Sequence, residues 1–239
     1  MPILKKALVT GAAKGIGRAI VLDLARKGFD VVIHYNRSQE DAEKVSLLAA
    51  AYGVKTLTLQ ADLTNAEQAA VLVETAAQKL EGISVVVNNV GNYLKKPIDQ
   101  VSVEEWHYIL NTNLNATFYV TQAALPHLKA LGWGRIVNLG FAGAQDLIAR
   151  PLILPYVISK TGIILYTKAL ATQLAPYNIT ANVVAPGVAE TSVSQPLEQI
   201  PISRPATLNE IVRAVNFFVD PESNYFTGQV VEVAGGWNL

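Results

Sequence analysis

Seven short runs rich in β-branched residues, most of them followed by a longer segment of helical period, constrain this chain more than any other feature. They are ALVT (7 to 10), VVIHY (31 to 35), KTLTLQ (55 to 60), SVVVN (84 to 88), RIVNL (135 to 139), TANVVA (180 to 185) and QVVEVA (229 to 234). After the first run, Ile16, Ala19, Ile20 and Leu24 recur at i, i+3, i+4 and i+8, which marks a helix with one buried face. Strand then helix, repeated, predicts a parallel sheet, because parallel neighbours need a crossover long enough to hold a helix. The expected fold is α/β: one doubly wound, seven-stranded parallel sheet with helices on both faces and a ligand crevice beyond the carboxyl ends of the strands. The turn after the first strand, Asn88 to Gly91, the 140s and Pro186-Gly187 should then share one rim. No repeat or linker divides the chain, so residues 1 to 239 read as one domain, with Pro196, Pro201 and Pro205 marking 188 to 206 as a loop over the crevice.

Composition narrows what such a rim could bind. At 51% hydrophobic and 16% charged, 239 residues can bury a large core. The 19 basic and 19 acidic residues cancel, and no basic stripe is present, so neither nucleic acid nor an anionic membrane is an expected partner. Cysteine is absent and the three histidines (34, 107, 127) are not spaced as metal ligands, so no metal is expected. No apolar run approaches the roughly 20 residues of a membrane span, and MPILKKALVTG does not have the layout of a secretory signal. A cytoplasmic protein acting on a small molecule is the expectation.

TGAAKGIG, residues 10 to 17, sits between the first strand and the first helix. Gly11, Gly15 and Gly17 there let the backbone turn tightly and approach a pyrophosphate, whose charge a helix N-terminus stabilises. At the end of the second strand, where an NAD site would place a carboxylate for the ribose 2′-hydroxyl, the chain reads HYNRS, with no acid before Glu40. Arg37, Ser38 and Lys14 instead offer donors and positive charge, which predicts NADP(H). His34 is read as packing. Asp62 could accept from an adenine amine or cap the helix starting near Asn65.

Tyr156 and Lys160 stand at i and i+4 on a helix expected to begin near Pro155, so they point the same way. An ammonium beside a phenol favours the phenolate and should lower its pKa from near 10. With TGAAKGIG at 10, NNVG at 88, NTNL at 111, YVISK at 156, NVVAPGVAET at 182 and FTGQVVEVAGGW at 226, the whole chain resembles the short-chain dehydrogenase/reductase family, whose fold is a Rossmann-type α/β domain. The resemblance implies that Tyr156 is the general acid/base and that Lys160 tunes it and holds the nicotinamide ribose. It also implies that Asn113 anchors a water. From the residues alone, Asn113 could equally be a buried amide bonded to its own helix. Ala13, Ile16, Leu63, Asn89, Val90, Gly91, Gly187, Ala189 and Thr191 would complete the cofactor wall.

One position departs from the family. A Ser that donates to the substrate oxygen falls on Phe141, preceded by Gly140, and Tyr156 follows fifteen positions later, about two more than usual. Losing such a donor typically costs about 10² to 10³ in rate. Three explanations compete. Gln145, Asp146, Ser192 or Ser194 stands in; or the substrate is an enone that needs no such donor; or the chain is a non-catalytic NADP-binding sensor or scaffold.

Phe141, Leu147, Ile148, Leu152, Ile153, Leu154 and Tyr93 predict an apolar pocket for a hydrophobic or aromatic substrate, although the same residues, the leucines above all, could instead pack a subunit contact. The pattern resembles 3-oxoacyl carrier-protein reductases, although the arginines with which those dock their carrier fall on Gly132 and Tyr177. It also resembles pteridine reductases, which carry Asp at the position of Phe141 and Arg at that of Gly15. The 188 to 205 lid is about ten residues shorter than in many members, which favours an open site. The family implies a homodimer or homotetramer, with Trp237 near a subunit contact.

Overall fold

The structure, a computed structural model, describes residues 4 to 192 and 194 to 237. Seven strands form one sheet: β1 (Lys6–Val9), β2 (Asp30–Tyr35), β3 (Thr56–Gln60), β4 (Val85–Asn88), β5 (Gly134–Leu139), β6 (Ile179–Pro186) and β7 (Val230–Val233). All pairings are parallel, in the order β3-β2-β1-β4-β5-β6-β7. The fold expected from the alternation is therefore the fold found, with strand ends displaced by at most one residue.

Helices α1 (Gly15–Arg26), α2 (Gln39–Ala50) and α7 (Leu208–Val219) cover one face of the sheet. Helices α3 (Ala66–Leu80), α5 (Ala116–Leu131) and α6 (Leu154–Leu174) cover the other, and α4 (Val103–Leu110) leads into α5. Both faces of each central strand are thus buried: in β1, Ala7 and Val9 join the first core while Leu8 joins the second, and Val86 of β4 is likewise opposed to Val85 and Val87. This is why these strands read as unbroken apolar runs.

The chain runs outward in opposite directions from β1 and β4, so their carboxyl ends flank the switch point where a crevice opens. Between α4 and α5 the helix widens into a π-turn at Asn111–Asn115, which the helical periodicity did not announce. Helix α6 has Pro155 in its first turn, where the missing N–H costs nothing. Among the described residues no helix is long and apolar enough to cross a membrane.

Candidate active site

The Gly-rich turn after β1 is braced from below. Gly11 N–H donates to His34 Nδ1 at 3.0 Å, while His34 Nε2 lies 3.1 Å from the Ala61 carbonyl. Burial lowers the His34 pKa to about 4, so the ring is neutral and serves as a strut. Asn89 Nδ2 donates to the Thr10 and Gly11 carbonyls at 3.0 and 3.1 Å, and Thr10 Oγ1 accepts from the N–H groups of Asn89 and Val90. A Cβ on Gly17 would lie 2.4 Å from the Gly11 carbonyl oxygen, so this helix start requires glycine. A Cβ on Gly15, in contrast, would meet only Thr191 Oγ1, at 4.0 Å.

That open space lies at a helix N-terminus without a side-chain cap and without an acid in its first turn, which is the donor set a pyrophosphate needs. Arg37, Ser38, Asp62 and Leu63 line an adjoining cavity of about 550 Å³. A dinucleotide fits these residues. Two expectations change in detail. Lys14 lines the same cavity, and its exposed Nζ is paired with Asp41 of α2 at 3.0 Å. Asp62 does not cap α3: Asn65 does, and Asp62 Oδ1 accepts from the Thr64 N–H and hydroxyl at 3.0 and 2.8 Å.

Beside this turn opens a cleft of about 640 Å³, lined by Ile16, Asn89, Gly91, Gly140, Phe141, Tyr156, Lys160, Gly187, Ala189 and Thr191, among others. The segments expected on one rim do meet there. Behind it, Asn88 Nδ2 donates to Thr121 Oγ1 and Asn138 Oδ1, and Asn138 Nδ2 donates to Thr167 Oγ1. This buried chain ties α5 and α6 to β4 and β5, and so fixes where α6 presents Tyr156 and Lys160.

Lys160 Nζ donates to the Leu139 carbonyl at 2.8 Å, and burial lowers its pKa to about 8. Tyr156 is partly open to the cleft, yet desolvation raises its phenol well above the ordinary value, with nearby Tyr93 adding to the effect. The expected lowering of Tyr156 by Lys160 is therefore not found. Desolvation penalises both charged forms, and the ammonium sits 5.6 Å from the ring centroid, engaged with a carbonyl.

Asn113 lies inside the π-turn. Its Nδ2 donates to the Asn92 and Ile109 carbonyls, both at 2.9 Å, so it bonds its own helix. Its buried Oδ1 has no partner, and a Cβ on Gly91 would stand 2.4 Å from it. Asn113 is thus held facing the NNVG turn beside Lys160, with an acceptor to spare.

The substrate wall differs most from expectation. Phe141 is buried and packs edge-on against Tyr156 (centroids 5.3 Å apart) and Trp237 (5.8 Å), while Tyr93 stands 5.2 Å from Tyr156 on another side. Gln145 does not reach the cleft: it is exposed and turned toward Glu232 on β7. Asp146, Leu147 and Ile148 are exposed outside it, whereas Leu152 and Ile153 line it. Ser192 and Ser194 lie on its edge, with Ser192 Oγ accepting from the Ala189 N–H. Trp237, expected at a subunit contact, lines the cleft of its own chain.

Arg150 was not anticipated at all. Its guanidinium lies 5.7 Å from the ring centres of both Phe141 and Trp237. The longer 141 to 156 spacing was the signal that could have pointed to it, as the placement of a strand's carboxyl end was for Trp237.

A Gly-rich phosphate turn and a Tyr–Lys pair sharing one crevice define a dinucleotide-dependent oxidoreductase. The comparisons agree. The family model described as "Enoyl-(Acyl carrier protein) reductase" matches residues 11–238. A 3-oxoacyl-(acyl-carrier-protein) reductase of Staphylococcus aureus is 34% identical over 245 residues, covering 99% of each chain. Two solved structures superpose with a TM-score of 0.92, at 31% identity and 98% coverage of both chains. One is a short chain dehydrogenase from Burkholderia cenocepacia in complex with NADP, and the other a blue fluorescent protein from a metagenomic library in complex with NADPH. The chain belongs to the short-chain dehydrogenase/reductase family of oxidoreductases.

Proposed function

We propose that this protein is an NADPH-dependent carbonyl reductase for a small apolar or aromatic substrate. The observation that carries the proposal is the convergence of Tyr156 and Lys160 on the floor of a cleft walled by Tyr93, Phe141, Leu152 and Trp237, with Asn113 buried behind Gly91 next to Lys160. The N–H groups opening α1 would hold the pyrophosphate, and Arg37 with Ser38 the 2′-phosphate. Leu63 and Asp62 would flank the adenine, while Asn89, Val90, Gly187, Ala189, Thr191 and Lys160 would hold the nicotinamide end. When bound, the reduced nicotinamide supplies hydride to the carbonyl carbon.

Tyr156 supplies the proton to the carbonyl oxygen. A phenol kept neutral by burial holds its proton at pH 7 and so suits the reductive direction. Lys160 then restores charge balance as the phenolate forms, and the unpartnered Asn113 Oδ1 accepts from a water that passes protons to Lys160.

Phe141 supports a second reading. A ring in place of a hydroxyl donor suits reduction of a C=C bond, whose hydride-accepting carbon bears no oxygen. The description of the matching family model, an enoyl reductase, points the same way.

The test is NADPH oxidation, followed by absorbance, on paired ketones and enones, with Tyr156→Phe and Phe141→Ser alongside. Carbonyl reduction predicts that ketones turn over and that Tyr156→Phe loses about 10² to 10⁴ in rate while still binding NADPH. Preferential turnover of enones would select the second reading. If wild type oxidises NADPH with nothing on the panel and Phe141→Ser does, the cleft is a binding site and both readings fail.

A further inference from the structure

The cleft carries an unanswered positive charge. Three cations line it, Lys95, Arg150 and Lys160, and no Asp or Glu among the described residues does so. Lys160 is committed to the Leu139 carbonyl on the floor. Arg150 is committed to nothing: among the described residues its side chain has no ion-pair or hydrogen-bond partner, and its buried Nε lacks an acceptor. Several other cations of the molecule are answered, Lys14 by Asp41, Lys96 by Glu105 and Arg204 by Glu210, and the fully buried Arg135 bonds Asn224 and two carbonyls, although its Nε, like that of Arg150, lacks an acceptor. An unpaired, partly desolvated guanidinium is costly, and such a group persists where a ligand completes it.

Its surroundings hold it ready. The guanidinium rests near the faces of Phe141 and Trp237, which attract a cation without occupying its N–H donors. Pro151 stiffens the backbone that follows. The loop is also pinned, by the Ile153 N–H on the Arg150 carbonyl and by the Lys96 N–H on the Leu152 carbonyl at 2.7 Å. Arg150 thus stands across the same ring, Phe141, that packs against Tyr156.

We propose that the substrate is a carbonyl compound bearing a carboxylate, and that Arg150 is the residue that binds this carboxylate. The inference rests on the reductase reading above and names its substrate class. A guanidinium seated against aromatic rings presents one planar two-donor edge, which matches the planar fork of a carboxylate. Exposed Lys95 adds attraction for an incoming anion at the mouth. The replacement of the family hydroxyl also acquires a reason, since Phe141 is the platform on which Arg150 is held. The carboxylate is unchanged in the reaction. Hydride from NADPH adds to the carbonyl carbon, Tyr156 gives the oxygen its proton, and a hydroxy acid and NADP⁺ leave.

The experiment compares 2-oxo-4-phenylbutanoate and 4-oxo-4-phenylbutanoate with their methyl esters, in wild type, Arg150→Lys and Arg150→Met. NADP⁺ binding serves as the check that each variant is folded. The expected result is an acid preference of about 10- to 100-fold in kcat/KM, expressed in KM, reduced in Arg150→Lys and lost in Arg150→Met. Esters accepted as well as acids by wild type would overturn the inference while leaving the reductase reading intact. So would an equal loss of kcat on acid and ester in Arg150→Met, which would make Arg150 a donor to the reacting oxygen. Silence on all four compounds would count against the reductase reading instead. Calorimetric titration of 4-phenylbutanoate into the NADP⁺ complex then decides the docking separately: binding lost in Arg150→Met retains the anion site, and no binding to wild type removes it.

Discussion

Around β1 and β4 the rim is backbone pinned in place by polar side chains: the carbonyls of Thr10 and Gly11 receive the Asn89 amide, the Gly11 N–H rests on the His34 ring, and a Cβ on Gly17 would strike the Gly11 carbonyl oxygen. Around β5 to β7 it is held by side chains, with Phe141, Trp237 and Arg150 gathered edge-on in a cluster that neither backbone geometry nor the sheet requires. The first arrangement leaves no room at Gly17, while at Gly15 a Cβ would meet only Thr191 Oγ1, at 4.0 Å. The second can be rebuilt by exchanging rings and lengthening a loop. On the function proposed above, cofactor binding would fall to the first part of the rim and choice of substrate to the second.

The contrast is broken most strongly by placing the same methyl group in each half. Gly17→Ala sets a Cβ 2.4 Å from a backbone oxygen and 2.6 Å from Asn89 Nδ2. Gly140→Ala sets one 2.6 Å from Val183 Cγ1, an atom that a rotamer change can move. Gly17→Ala should lose about 1 to 3 kcal/mol of stability and most of its NADPH affinity, because the displaced backbone is the anion cradle itself. Gly140→Ala should lose stability within that range, about 1 kcal/mol, and retain NADPH. Thermal melts with and without NADPH separate the two. Equal retention of cofactor by both variants would show that the Gly-rich turn is not the binding element.

A smaller effect sharpens the cofactor half. With Lys14 held by Asp41, Arg37 is left as the main positive charge for a 2′-phosphate. Removing a charged hydrogen-bond donor costs about 1.5 to 3 kcal/mol, so Arg37→Ala should weaken NADPH by roughly 10- to 100-fold and leave NADH nearly unchanged. Direct titration of both nucleotides measures this. Should Arg37→Ala weaken them equally, the discrimination lies elsewhere.

The same contrast explains what could be read beforehand. Glycine at a backbone contact leaves its mark at a known spacing, and so does a Tyr–Lys pair on one helical face, so Gly11 to Gly17, Tyr156 and Lys160 were legible. Arg150 and Trp237 were not, since their meeting depends on the course of a rebuilt loop and on how the chain turns after β7. Gln145 shows the converse error: its chemistry suited a substituting donor, but the loop aims it at Glu232. Lys14 was legible as a cation but not as half of a pair, because the phase of α2 that brings Asp41 to it is a tertiary fact. Asn113 lay between the readings, bonded to its own helix through Nδ2 and left with a buried, unpartnered Oδ1.

The smallest effect concerns Lys160, where the two halves touch. Its pKa of about 8 in the folded protein lies below the ordinary lysine value of 10.5, so between those values the unfolded chain binds more protons than the native one. Stability then rises with pH across that window, the reverse of what a favourably paired lysine would give. Tyr156 acts oppositely, but only above about pH 10, where the unfolded phenol ionises and the buried one does not. The interval from pH 8 to 10 therefore isolates Lys160. Urea unfolding of the cofactor-free protein should show wild type gaining about 2 kcal/mol relative to Lys160→Met over that interval, with the variant the more stable of the two at pH 7. A difference independent of pH would mean that the ammonium is already compensated in the empty cleft. A difference of the expected sign identifies Lys160 as a buried charge retained against its own cost to stability, as a group needed by a bound ligand would be.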